Sequence, residues 1–320
     1  MTSTVAELRA QSPLRASPAR RLLTGPLLVA GRDDESTRGA LRIAEILARR
    51  DRVNAHVLSV VPPLPYTASL VEGIDAAAIE NARRIEQLGR VRRRVHQTVG
   101  RSAHFSTSAE VGSPASVIAH AARERGAELI LVGLGGHLVA ARAPTEDTAL
   151  HVARLATVPV LAIPPGYAVL PRRAVVAVDF SEASMRAART ALLTLTVGAR
   201  LTLVHVKPDL GLTDVANEAW HVVYREGVVR LFRRFVHELR VPDHVKLQTT
   251  IVEGDAPTSL LEVATRANAD LIAAGSRSMS QPAPDLTGSV SAALLRGASC
   301  GVLIAPSPTR REPETTDAAA

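Results

Sequence analysis

Residues 270–290, DLIAAGSRSMSQPAPDLTGSV, decide the fold. The run 271–274 is short, continuous and apolar, and reads as a buried strand that stops at Gly275. Residues 276–287 form a polar loop carrying Pro282 and Pro284. Gly288 and Ser289 then start a helix over 290–295. Strand, small-residue loop and helix start together make a phosphate-binding geometry. Backbone N–H groups at a helix start lack intrahelical partners, and the helix dipole adds partial positive charge there. Gly288 allows close backbone approach, and the Ser289 hydroxyl can donate to a phosphate oxygen. The same residues also suit an ordinary strand–loop–helix with Ser289 as its cap.

On either side of this stretch the chain repeats. The first half reads as strand 26–31, helix 35–50, strand 53–61, a proline-rich loop, helix 73–98, strand 104–111, a helix opened by Ser113 and Pro114, strand 128–133, helix 146–155 and strand 158–163. Residues 164–173 are a linker, and the order restarts. Strand 174–179, helix 181–195, strand 199–206, helix 214–239, strand 245–252 and a turn plus helix over 254–267 lead to the opening stretch and a last strand, 301–306. In helix 73–98 the apolar side is Ile79, Ile85, Leu88, Val91 and Val95; in helix 214–239 it is Val222, Val229, Phe232 and Val236. Val29 aligns with Val176, Gly133 with Gly275 and Val160 with Val302, a repeat of about 145 residues. Continuous apolar strands separated by helices indicate an α/β fold, a parallel sheet covered on both faces and doubly wound by right-handed crossovers. The expected organisation is a basic tail over 1–22, one unit over 23–165, a second over 172–308 and a polar tail over 309–320.

Composition narrows the function classes. The 320 residues are 46% hydrophobic but only 2% aromatic, so the cores must be built from Ala, Val, Leu and Ile. A formal charge of +7 raises nucleic-acid binding, yet the arginines are scattered and stacking aromatics nearly absent, which argues against it. No apolar stretch reaches membrane length, and the polar, basic first residues lack a secretory core. A single cysteine, Cys300, rules out an internal disulfide and a cysteine metal cluster, and a reducing cytoplasm is the expected compartment. No Walker A, H-E-x-x-H or G-x-S-x-G pattern occurs, so no catalytic residue and no metal ligand is assigned. His56 and His205 are read as matching positions in the two second strands, which suggests packing. His137 is read as a solvated loop histidine.

Three features together resemble the universal stress protein family in its tandem form, over nearly the whole ordered chain. They are the strand ending in aspartate, VVAVDFSEAS (175–184), the turn VEGDAPTSLLEVA (252–264), and the spacing Gly275-x2-Ser278-x9-Gly288-Ser289 before a closing V-L-I strand. The family motif has glycine where Ser278 stands. The resemblance implies a parallel strand order 3-2-1-4-5 in each unit, with ATP, accompanied by Mg2+, held between the ends of the first and fourth strands. That is where strand order reverses and a crevice opens. Carried onto this chain, Asp179 would contact the adenosine end and Val206 would line the base pocket. Gly275, Arg277 and Ser278 would frame the phosphates, and Gly288, Ser289 and Val290 would cradle them. Asp179 could equally cap the helix that follows it, and Arg277 could be a solvated loop residue.

The first unit departs from the motif. It keeps Gly133 and Gly136 but has Glu146 and Asp147 in place of Gly-Ser, and Arg32 where Asp179 stands, with Asp33 shifted by one. Two acids at a helix start satisfy the dipole and repel phosphate. The first unit is therefore expected to have lost ATP and to serve the second as a structural partner.

The resemblance implies a nucleotide-binding regulator of a stress response, not an enzyme. A nucleotide-independent interaction module of the same family is the alternative, and a nucleotide-hydrolysing or -transferring enzyme a third. It also implies pairing of last strands: Val158 to Ile163 against Gly301–Pro306, inside one chain. Each apolar edge then covers the other, across a linker that spans up to about 33 Å when extended. A homodimer of whole chains is a further expectation.

Overall fold

The computed structural model describes residues 22–32, 35–69, 75–134, 148–207, 214–276 and 290–307, with the side chains of 68–69 and 214–221 left aside. The expected terminal tails apart from Leu22, and Asp33, Gly136, His137, Glu146, Asp147, Arg277, Ser278, Gly288 and Ser289, lie outside the described residues.

The first half runs β1 (Leu27–Ala30), α1 (Glu35–Asp51), β2 (Ala55–Val61), α2 (Tyr66–Ser69), α3 (Ala76–Val99), β3 (Phe105–Val111), α4 (Pro114–Glu124), β4 (Leu129–Gly133), α5 (Thr148–Leu155) and β5 (Val160–Ile163). The second runs β6 (Arg173–Ala177), α6 (Glu182–Thr194), β7 (Arg200–Lys207), α7 (Asp214–Leu239), β8 (Lys246–Glu253), α8 (Ala256–Arg266), β9 (Leu271–Ser276), α9 (Val290–Gly297) and β10 (Gly301–Pro306). The short α2 was not expected from the sequence, and β9 continues past Gly275 to Ser276.

The ten strands of the described residues form one sheet in the order β3-β2-β1-β4-β5-β10-β9-β6-β7-β8. Each half has the expected order 3-2-1-4-5 and is parallel throughout; the halves meet where β5 and β10 run antiparallel, Val160 opposite Ile304 and Ala162 opposite Val302. The last strands thus pair inside the chain. Strand alternation sends Leu161, Leu303 and Ala305 to one face and Val160, Ala162, Val302 and Ile304 to the other. Each face carries one hydrophobic cluster, and each cluster draws residues from both halves. The linker packs rather than dangles: the Tyr167 hydroxyl donates to the Asp270 carbonyl, while the Asp270 carboxylate accepts from the N–H groups of Arg172 (3.0 Å) and Arg173 (2.9 Å).

Two helices depart from the expected packing. Ile79 and Ile85 in α3 are exposed, and burial is confined to Val91 and Val95. Val222 in α7 is 61% exposed, and the buried residues there are Val228, Phe232, Phe235 and Leu239. The cause is length. Helices of 24 and 26 residues extend about 36–39 Å, whereas strands of 7 and 8 residues extend about 23–26 Å. The N-terminal turns of both helices overrun the sheet.

Candidate functional site

The crevice of the second unit begins where β6 and β9 part. Their ladder ends at Val176 opposite Ala273. Beyond it β6 stays with β7, the Val178 N–H donating to the Val204 carbonyl at 2.8 Å, while β9 follows β10 to Ser276 opposite Pro306. The carboxyl ends of the first and fourth strands therefore diverge at the point where the strand order reverses.

Asp179 stands on the lip of this crevice, exposed to solvent. Its Oδ1 accepts from the Ser181 N–H (3.0 Å) and the Ser181 hydroxyl (2.5 Å). Burial among neighbouring atoms pushes the carboxyl upward, but these bonds outweigh it and hold the group below the usual carboxylate range. The helix cap is Ser181, whose Oγ accepts from the Ser184 N–H at 3.2 Å. Asp179 braces the cap instead of being it. A carboxylate has acceptor capacity beyond two donors, so a ligand hydroxyl or amine can still reach it.

Val206 is half-buried near the end of β7, opposite Val252 of β8. With Ala177 of β6 they lie on the face covered by α8 and α9, and Val290 at the start of α9 packs on the same cluster. Ala177 and Val252 were not singled out in the sequence, although strand-end positions beside Val206 were the available signal. Ser291, also overlooked, is buried and donates from Oγ to the Gly275 carbonyl at 3.4 Å, tying the first turn of α9 to the end of β9.

Gly275 has a contact that the motif does not suggest. A Cβ there would sit 2.6 Å from the Ala183 carbonyl carbon and 2.7 Å from the Ser184 nitrogen. Its glycine lets the first turn of α6 press onto β9. Gly133 repeats the device, since a Cβ there would meet the Ser36 carbonyl oxygen at 2.3 Å. The turn before α8 holds Gly254 at φ +131°, and Asp255 caps the helix by accepting from the Thr258 N–H at 3.1 Å. Ser113 is the matching N-cap of α4 but makes no side-chain capping bond.

In the first unit Arg32 occupies the place of Asp179. Its guanidinium reaches across to the Thr148 hydroxyl at the start of α5, 3.3 Å away.

The two histidines are not equivalent. Sheet register matches His205 with Ser59, and His56 with Thr202, because Val57 and Leu203 are the partners of Val29 and Val176. The rings lie on opposite faces of the sheet. His205 Nδ1–H donates to the Val178 carbonyl (2.7 Å), so Nε2 accepts from the Tyr224 hydroxyl (2.7 Å). Ser59 instead accepts from the Gln87 side-chain amide at 3.0 Å. Next to His205, Phe180 adopts a left-handed φ of +63° and its ring centroid lies 4.9 Å from the imidazole. Lys207, 4% exposed and paired with Glu253 at 3.2 Å, was also missed.

His56 lies between Ser106 Oγ (2.8 Å) and Ser108 Oγ (2.7 Å). Burial first, and the Arg125 charge second, push its pKa down to about 4; burial also lowers His205. A depressed histidine favours the fold while neutral. Its contribution is complete above about 6.5 and is lost as pH falls towards the folded value. Between pH 7 and 4.5 the loss at His56 is on the order of 2–3 kcal/mol. Urea unfolding at both pH values should show it, and His56→Gln should reduce it. An equal pH dependence in the variant would remove His56 as the cause.

Among the described residues no group of three His, Cys, Asp or Glu side chains could hold a metal, and no helix is long and apolar enough to cross a membrane. Cys300 is buried, and burial together with the Asp270 charge pushes its thiol up to about 11.

A family model described as the universal stress protein family matches residues 25–164 and again 171–306. Among solved structures, a universal stress protein from Archaeoglobus fulgidus is 19% identical, with a TM-score of 0.61 over 88% of this chain and 96% of its own. A protein of unknown function from Pseudomonas aeruginosa is 18% identical, with a TM-score of 0.56 over 88% and 92%. At these identities the likeness concerns the fold. A search of curated protein sequences found no match.

Proposed function

Since the chain belongs to the universal stress protein family as two tandem units, we propose that its second unit binds an adenine nucleotide, ATP with Mg2+, in a regulatory, stress-responsive and cytoplasmic role without turnover. One observation carries the reading. Where β6 and β9 part, the braced carboxylate of Asp179 stands beside strand-end apolar residues, Ala177 of β6, Val206 of β7 and Val252 of β8, on the face that α8 and α9 cover. Adenosine needs that pair of features: apolar surface for the base and an acceptor for the ribose hydroxyls.

In this reading Gly275, Arg277 and Ser278 frame the phosphates, and Gly288, Ser289 and Val290 supply N–H donors at the start of α9. The phosphates hold Mg2+ largely through their own oxygens and water. In the first unit Arg32 stands in place of the acceptor and bonds Thr148 across the crevice mouth, so that unit is a structural partner. The strands usually exposed for dimerisation are already paired inside the chain, and a homodimer would need another surface.

Calorimetry with Mg-ATP is expected to give no more than one site per chain; two equal sites would exclude this asymmetry. Gly288→Glu should weaken binding at least tenfold in a folded protein, by placing a side chain and a like charge against phosphate. Ser278, in place of the motif's glycine, favours one competing reading, a nucleotide-independent interaction module. Mass spectrometry of small molecules released from the purified protein separates the two, and an ATP turnover assay tests for an enzyme.

A further inference from the structure

On the opposite face of the second half, α6 and α7 leave a cleft of about 810 Å³ between them. Phe180, Met185, Leu231 and Phe235 supply its apolar wall. Its ionic lining is three arginines, 186, 189 and 234, and two glutamates, 182 and 238, a net charge of +1.

The arginines are not alike. Arg234 is paired with Glu238 at 2.9 Å, and Arg189 donates to the Glu238 carbonyl at 3.4 Å. Arg186 is half-buried and has no carboxylate partner among the described residues. Its Nη1 donates to two carbonyls, Thr157 at 3.0 Å and Pro306 at 3.2 Å, which fixes the guanidinium plane. Its Nε and Nη2 make no hydrogen bond to the protein among the described residues. A cation taken partly out of water and given only neutral partners among the described residues is poorly compensated by them, and burial lowers its pKa. A planar fork of N–H donors held beside an apolar wall is suited to a carboxylate.

We propose that this cleft binds a small monocarboxylate with an apolar body, and that Arg186 receives the carboxylate. The charge selects a monoanion, because a phosphate dianion would bring its second charge towards Glu182 and Glu238. Thr157 belongs to the first half and Pro306 to the second, so the headgroup position exists only when the halves are joined. The repeat does not duplicate it. The residue matching Arg186 is Gly39, where even a Cβ would lie 3.0 Å from the Tyr167 carbonyl and 3.3 Å from that of Pro164. The linker carbonyls there take the room that the Arg186 side chain has in the second half. The cleft lies on the α6–α7 face and Val206 on the α8–α9 face, and the two meet at Ser181, which lines the cleft and donates to Asp179.

Octanoate titrated into the full chain by calorimetry, without nucleotide, is expected to bind once, with a Kd below about 1 mM. Arg186→Met should weaken octanoate at least tenfold and leave 1-octanol unchanged. Arg186 also spans the seam, so Leu231→Glu provides a second test: Leu231 is exposed, and a carboxylate there should weaken octanoate similarly without loss of fold. The proposal is overturned by an absence of saturation up to about 5 mM, by octanol binding as tightly as octanoate, by octyl phosphate binding more tightly, or by a folded Leu231→Glu variant with wild-type affinity.

Discussion

Ile304→Lys is expected to abolish cooperative folding of the whole chain at 25 °C, or to leave it so weakened that its halves no longer share one unfolding transition. Ile304 is 0% exposed, opposite Val160, in the strand where the two halves join, and on the face that α5 and α9 cover. Losing the buried isoleucine costs about 2–5 kcal/mol. An unpaired ammonium in the same place costs several more. Together they take most of the roughly 5–15 kcal/mol that holds a domain folded. The control is a cut in the linker at an engineered protease site after Gly166. The seam consists of strand pairing and shared cores, so the cut halves should still elute together at micromolar concentration. Separation on a sizing column would mean that the linker, not the seam, holds them.

Gly275→Ala carries the second large effect. The added methyl would stand 2.6–2.7 Å from the backbone and side chain of Ala183, with the neighbouring Ser184 nitrogen equally close. A backbone contact cannot be relieved by a rotamer change, so α6 must move off β9. Overpacking of this kind costs about 1–3 kcal/mol, occasionally more. The displaced turn is the one in which Ser181 caps α6 and Asp179 braces Ser181, so nucleotide affinity should fall along with stability. Gly227→Ala is the counterpart: it lies within α7 with nothing within 4 Å of a new Cβ, and should stabilise by about 0.5–1 kcal/mol. Urea midpoints of the two variants should move in opposite directions. A Gly275→Ala protein as stable as the wild type would show that α6 is not seated on that glycine.

Gly275 also marks where sequence reading stops. Its place at a strand end before a loop was legible, as were the repeat, the strand order and the pairing of the last strands. Its partner was not, because a spacing motif registers that a side chain is absent without saying what occupies the room. The histidines failed for a different reason. The second strands carry no glycine or proline to anchor an alignment, and a shift of three residues set His56 against His205. Only the ladder with the first strand shows that Ser59 is the true counterpart. Helical periodicity placed Ile79 and Val222 on apolar faces, but periodicity does not register where the sheet beneath a helix ends. Arg186 gave no signal at all, since its two acceptors are backbone carbonyls distant in the chain.

The antiparallel seam also bears on biosynthesis. The partner of β5 is the last strand of the sheet, some 140 residues further along the chain. At a synthesis rate of roughly 5–20 residues per second, the first half waits on the order of ten seconds with an apolar strand edge uncovered. During that interval its natural substitute is the same edge of another nascent chain, since β5 of one copy is as apolar as β10. Neighbouring ribosomes on one message hold such copies close together. Expression yield should therefore depend on how quickly the second half is translated, and slow codons after the linker should favour aggregates joined through β5.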